Sequence, residues 1–219
     1  MANPGRFLGI HYMQPADAFD CVEVICATAT NTISLERACG AIRATKKLPI
    51  VLSKPIEGFL FNRLQHALLH EVILPPSYSV SSCCYCLVIR RALFRRTAQA
   101  YYLIENGYCT AADVDNFAKM AFGPRMSVTG LIEQKDLSGL VTHAASQRGI
   151  VPHLHHGAEP IKFVQDMPKN GKLGAASGQG FYDWSKTDVA EKRRQASLLT
   201  EAVLKITRGN VDGPPLSKL

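Results

Sequence analysis

Pro15 falls between two short apolar runs, and that placement limits what the first part of the chain can become. Phe7, Leu8 and Ile10, followed by His11, suit a buried strand, and a proline inside a paired ladder lacks the donor that pairing needs, so a turn must follow. The run Cys21-Val22-Glu23-Val24-Ile25 is short and rich in β-branched residues. Paired as the return strand, it puts Val22 and Val24 on one face and Glu23 on the other. Such a reversal brings Glu23 back toward His11. A carboxylate bonded to one ring nitrogen of a histidine fixes its tautomer, which outlines a general base with its orienting acid. On the pair alone the plainer reading, a structural histidine and an edge charge, is the commoner outcome.

Asn31 or Thr32 can cap a helix whose apolar residues Ile33, Leu35, Ala38, Ala41 and Ile42 recur at helical spacing, and Leu48 to Leu52 reads as a short buried strand. Residues 1–54 therefore read as strand, turn, strand, helix, strand. Near Pro55 the pattern changes to helices, which places a domain boundary there. A helix beginning near Gly58 carries Phe61, Leu64 and Leu68 on one face, with Asn62 in its first turn. By itself Asn62 is a helix-start residue suited to local backbone bonds.

From Val72 to Gln99 the composition shifts: no acid occurs, Arg90, Arg91, Arg95 and Arg96 are clustered, and Pro75 and Pro76 stop the preceding helix. If this stretch is removed, Glu71 joins Ala100 and the apolar face continues in phase through Ala100 and Leu103 to a C-cap at Gly107. Every valine codon begins GT and one glutamine codon ends AG, so the 72–99 segment reads as a retained intron translated in frame. The competing reading is a surface loop or a basic arm that docks Leu87, Val88, Ile89, Leu93 and Phe94 on a partner or membrane.

Beyond Gly107, Thr110 to Asp113 is a capping box that opens a helix through Phe117 and Met120, which Phe122-Gly123-Pro124 is expected to end. Met126 to Lys135 reads as a further helix leading to Asp136-Leu137-Ser138-Gly139-Leu140, and residues 149–160 as loop. Ile161 to Met167 reads as a short amphipathic helix, 171–184 as a glycine-rich structural turn, and about 188–206 as a basic closing helix.

Composition removes several function classes. At 219 residues and 47% hydrophobic the chain can bury a real core. Four of its net +7 charges come from the arginine cluster, leaving nothing that resembles a nucleic-acid stripe. Seven cysteines without regular spacing read as reduced thiols, and no paired C-x-x-C motif points to zinc. No run reaches the roughly 18 apolar residues of a membrane span, and no signal-peptide pattern opens the chain, so a soluble protein is expected.

Four motifs join the His11–Glu23 stretch in a distinctive order: Gly58-Phe59-Leu60-Phe61-Asn62-Arg63, Phe122-Gly123-Pro124, Asp136 to Leu140, and Ser177-Gly178-Gln179-Gly180-Phe181-Tyr182-Asp183-Trp184. In this order the chain resembles the 3-hydroxyacyl-CoA dehydrogenase family, over about residues 6–71 and 100–184. The resemblance implies an α/β remnant of a Rossmann-type domain at 1–54, an all-α C-terminal domain at 55–207 with an atypical insertion at 72–99, and a flexible tail at 208–219. It implies NAD-dependent oxidation of a 3-hydroxyacyl-CoA in fatty-acid β-oxidation, with His11 as base, Glu23 as its orienting acid and Asn62 near the substrate carbonyl. It also implies an acyl-CoA substrate and a homodimer formed through the helical domain.

Gln14, Glu57 and Val141 depart from the family pattern, which leaves a related dehydrogenase of small hydroxy acids open as the alternative. No G-x-G-x-x-G occurs, so no cofactor-binding residue is assigned and most of the NAD site is expected to be missing. A non-catalytic dimerisation or acyl-CoA-binding module of the same family is the other alternative. The closing Ser217-Lys218-Leu219 matches the address read by the peroxisomal import receptor, with a cytoplasmic location as the alternative.

Overall fold

The first strand is not the buried one expected: it lies at the edge of the sheet, with Ile10 and the preceding Phe7 about half exposed. In a computed structural model, β1 (Leu8–Tyr12) pairs antiparallel with β2 (Cys21–Cys26), and β2 pairs in parallel with β3 (Leu48–Leu52), giving the sheet order β1-β2-β3. Parallel neighbours cannot be joined by a tight turn, and the crossover between β2 and β3 is the helix α1 (Thr32–Ala44). Residues 2–13, 16–17, 19–73, 97–156 and 161–207 are described. Pro15, most of the 72–99 segment with Cys83, Cys84, Cys86 and its arginines, and the tail with Ser217, Lys218 and Leu219 lie outside the described residues.

The central strand β2 is buried along its whole length because both of its faces are covered. Val22 and Val24 pack with Cys39 and Ile42 of α1, whereas Cys21, Ile50 and Leu52 join a second core on the opposite face. Burying each such valine contributes about 1.5–3 kcal/mol. Asn31 caps α1, its side-chain oxygen accepting from the Ser34 N–H at 2.8 Å.

The second core is built mostly by helices. Phe61, Leu64 and Leu68 of α2 (Phe61–Ile73) meet Ala100 and Leu103 of α3 (residues 97–105) and Phe117 of α4 (Ala111–Phe117). The two helices that flank the 74–96 stretch thus feed one core. Gly107, at φ +64°, closes α3 in a left-handed turn: its N–H donates to the Ile104 carbonyl, and the Tyr108 N–H donates to that of Leu103 at 2.9 Å. Thr110 and Asp113 form the capping box of α4, each side chain accepting from the other's backbone N–H.

Three stretches differ from the sequence reading. The chain does not leave helix at Phe122-Gly123-Pro124; one π turn, Ala118–Phe122, carries it into α5 (Gly123–Val128). Pro124 has no N–H to return to the preceding turn, and the wider turn, closed by the Gly123 N–H on the Ala118 carbonyl, takes up that mismatch. The expected single helix over Met126–Lys135 is instead split: α5 ends at Val128, the chain opens through Gly130, and α6 (Glu133–Ser138) begins separately. α7 (Leu140–Ile150) runs into a 3₁₀ turn at Val151–His153, so part of the expected 149–160 loop is helical.

Contacts divide the chain into two units, the described parts of Met1–Gly123 with Leu131–Ile161, and those of Pro124–Gly130 with Lys162–Leu219. The first holds the sheet and both cores. In the second, α8 (Lys162–Lys169) sets Phe163 edge-on to Phe181 of the glycine-rich turn, and Lys192 of α9 (Val189–Thr207) lies 5.9 Å from the centre of the Trp184 ring. Among the described residues no helix is long and apolar enough to cross a membrane.

Candidate active site

The β1–β2 register sets His11 directly opposite Glu23, so their side chains leave the sheet on the same face. His11 Nδ1 lies 2.5 Å from Glu23 Oε2. The other carboxylate oxygen accepts from the backbone N–H groups of Leu60 and Phe61, at 2.8 and 2.9 Å. Glu23 is fully buried while the His11 side chain is 32% exposed. A buried carboxylate is costly unless its oxygens are bonded. Here both are, one of them at the start of a helix, where free N–H groups favour negative charge.

With the Glu23 carboxylate accepting, the proton of this bond lies on Nδ1, and in the neutral ring Nε2 then carries the lone pair. The aromatic ring of Phe59 stands 5.3 Å from the imidazole centroid, tilted by 57°. The neighbouring thiol of Cys21 is pushed up to about 12, first by burial and then by the charges of Glu23 and Asp20, and burial does the same to Cys109, so neither is a thiolate nucleophile near neutral pH.

Asn62 is the second residue of α2, half-buried, directly after the Phe61 amide that holds Glu23. Its amide makes no side-chain hydrogen bond among the described residues. The three residues singled out from the sequence thus belong to one local arrangement: His11 and Glu23 touch, and Asn62 follows the helix start that secures them.

Two participants were not singled out. Phe59 lies inside the recognised Gly58-to-Arg63 motif, but its ring contact with His11 depends on a left-handed backbone that no side-chain pattern announces. Arg63, also fully buried, donates from Nη1 to the Glu57 carbonyl at 2.9 Å and from Nη2 to the His153 carbonyl. A charged residue beside Asn62 in a helix was the available signal, but its buried position depends on contacts distant in sequence.

Residues 1–55 match the model of the 3-hydroxyacyl-CoA dehydrogenase NAD binding domain, and residues 87–184 match that of the 3-hydroxyacyl-CoA dehydrogenase C-terminal domain. The chain belongs to the 3-hydroxyacyl-CoA dehydrogenase family. Among curated relatives, it is 22% identical to a 5-formyl-3-hydroxy-2-methylpyridine 4-carboxylate 5-dehydrogenase of Mesorhizobium japonicum, over 94% of this chain and 58% of that one. It is 29% identical to the 3-hydroxyadipyl-CoA dehydrogenase of Escherichia coli, over 92% of this chain and 35% of that protein. A probable 3-hydroxybutyryl-CoA dehydrogenase of Bacillus subtilis is 25% identical over 84% of this chain and 53% of its own length. A crystal structure of a 5-formyl-3-hydroxy-2-methylpyridine 4-carboxylic acid 5-dehydrogenase aligns with a TM-score of 0.49 at 22% identity, covering 94% of this chain and 58% of that one. The chain thus spans between about a third and three fifths of the length of these curated relatives.

The family's cofactor is NAD, as the name of the matched N-terminal domain states. A dinucleotide needs a glycine-rich strand-to-helix turn whose N–H groups receive its pyrophosphate. The turn from β2 into α1 has no glycine, and several of its N–H groups are already bonded. The Ala27 N–H bonds Thr30 Oγ1, the Asn31 N–H bonds the Gly5 carbonyl, and Asn31 itself closes the start of α1. This turn therefore does not fit the pyrophosphate.

Proposed function

We propose that this chain supplies the proton-transfer site of a dehydrogenase acting on a 3-hydroxyacyl thioester in fatty-acid β-oxidation. The bond pattern of Glu23, one oxygen on His11 Nδ1 and the other on two helix-start amides, is the observation that carries this reading. His11 Nε2 accepts the proton of the substrate's 3-hydroxyl, and Glu23 holds the ring and stabilises the imidazolium that forms. Asn62 donates to the substrate carbonyl from the first turn of α2. NAD is the family's hydride acceptor; the part of the described residues is the proton and the carbonyl.

Further parts of the proposal are a homodimer through the helical domain and import into peroxisomes through Ser217-Lys218-Leu219. The absence of a glycine from the turn before α1 favours a second reading, in which the chain is an acyl-CoA-binding or dimerisation module without catalysis. The name of the Mesorhizobium relative supports a third, oxidation of a small hydroxylated carboxylate instead of an acyl-CoA.

Calorimetric titration with NAD and with acetoacetyl-CoA, alongside turnover of 3-hydroxybutyryl-CoA, separates these readings. Turnover that falls by about 100-fold or more in His11→Ala supports the base role. Acyl-CoA affinity with no NAD binding selects the non-catalytic module. NAD affinity without acyl-CoA affinity, together with turnover of a hydroxylated aromatic carboxylate, selects the third reading.

A further inference from the structure

The turn that opens α2 contains two consecutive left-handed residues, Gly58 at φ +77° and Phe59 at φ +48°. Gly58 has no room for a side chain, since a Cβ there would lie 2.8 Å from Ile150 Cγ2. Phe59 is different: a residue with a bulky side chain enters this region only where its surroundings impose it, and such strain collects at functional sites. Two outcomes follow from the reversal. The ring of Phe59 lies against His11, and the next two backbone N–H groups, those of Leu60 and Phe61, point at Glu23.

Glu23 restrains the imidazole at one nitrogen only. A ring tied at Nδ1 alone can still tilt about that bond, and a 32%-exposed side chain leaves water able to compete for the Nδ1 proton. A second ring packed against the imidazole restrains both freedoms. We propose that Phe59 is a positioning residue of the proton-transfer site: its tilted ring packs beside His11, hinders water at the Nδ1–Glu23 bond and limits the plane in which Nε2 is presented. The same turn that secures the acid thereby orients the base. A side chain present only to fill the core needs no left-handed backbone, since Leu60 and Phe61 beside it enter that core without one.

The inference rests on reading His11 as the base, and its test is kept separate from turnover. In the ¹⁵N-labelled chain, the Nδ1 proton of His11 is assigned by its loss in His11→Ala. The parent and Phe59→Tyr, which keeps the ring, should show one neutral tautomer with a protected Nδ1 proton. Phe59→Gly accepts the same backbone without a ring, and exchange of that proton with water should be between about 2- and 12-fold faster, the span expected for loss of one ring–ring contact. The ring nitrogen shifts should move toward a mixture of tautomers. Unchanged exchange and shifts in Phe59→Gly overturn the proposal. So does failure of both Phe59→Gly and Phe59→Asn to fold, which makes Phe59 a core residue. If His11→Ala retains full turnover, the base reading falls, while the ring contact is still read on the Nδ1 proton.

Discussion

Glu23 and Leu60 are far apart in sequence, yet the Leu60 N–H donates to the Glu23 carboxylate at 2.8 Å and ties the middle strand of the sheet to the start of α2. The same carboxylate bonds His11, so one buried acid links both strands and the helix. Glu23→Gln keeps the shape but offers N–H groups where only acceptors fit. Facing His11, the amide forces the opposite tautomer, with the proton on Nε2. Stability should fall by about 1–3 kcal/mol, and turnover by about 100-fold or more. Urea unfolding and a single-turnover assay measure the two effects, and a fully active Glu23→Gln chain contradicts the orienting role.

Gly58 and Gly107 both adopt positive φ but differ in surroundings. A Cβ at Gly107 comes no nearer than 3.9 Å to Lys54 Nζ, whereas one at Gly58 meets Ile150 at 2.8 Å. Gly107→Ala should cost about 1 kcal/mol from backbone strain alone. Gly58→Ala adds overpacking of roughly 1–3 kcal/mol to that strain. Denaturant midpoints of the two variants should differ in that order.

His66 is buried on α2 and stacked on His143 of α7, their ring centres 5.6 Å apart. Burial above all, then the Lys135 ammonium and His143, holds His66 down at about 4. The folded chain therefore binds fewer protons here than the unfolded chain between about pH 6.5 and 4. Stability from neutral His66 is complete above about 6.5 and is lost as pH falls through about 4, by roughly 3 kcal/mol in all. His143 is lowered by its own burial and by Lys135, which adds to the same slope. Urea unfolding across this range should be visibly less pH-dependent in His66→Leu than in the parent, and equal slopes rule out the assignment.

Deleting Ser217-Lys218-Leu219 should leave folding and binding unchanged and abolish peroxisomal import. A fluorescent protein fused ahead of residue 1, so that the C-terminus stays free, reports this by microscopy. Peroxisomal signal that survives the deletion removes the address from the proposal.

Local chemistry made much of this molecule legible from its residues alone. The alternation around Val22 and Val24, the Asn31 and Thr110 caps, the Gly107 helix stop and the Phe61-Leu64-Leu68 face all follow from spacings within a few residues, and each appears in the fold. The pairing of His11 with Glu23 was readable because a strand reversal converts a short sequence separation into direct opposition. Helix continuity past Phe122 was not readable, since Gly and Pro normally stop a helix and only the π turn at Ala118–Phe122 accommodates them.

Sequence by itself determined the family motifs, the order of the three strands and first helices, and the facing of His11 and Glu23. Tertiary structure alone decided that Glu23 is fully buried and bonded through both oxygens, that Phe59 turns left-handed to meet His11, and that Arg63 joins Glu57 to His153. The physical reason is range: spacing rules report what neighbours along the chain can do. Burial and backbone strain are imposed by residues that become neighbours only when the sheet and α2 close on each other.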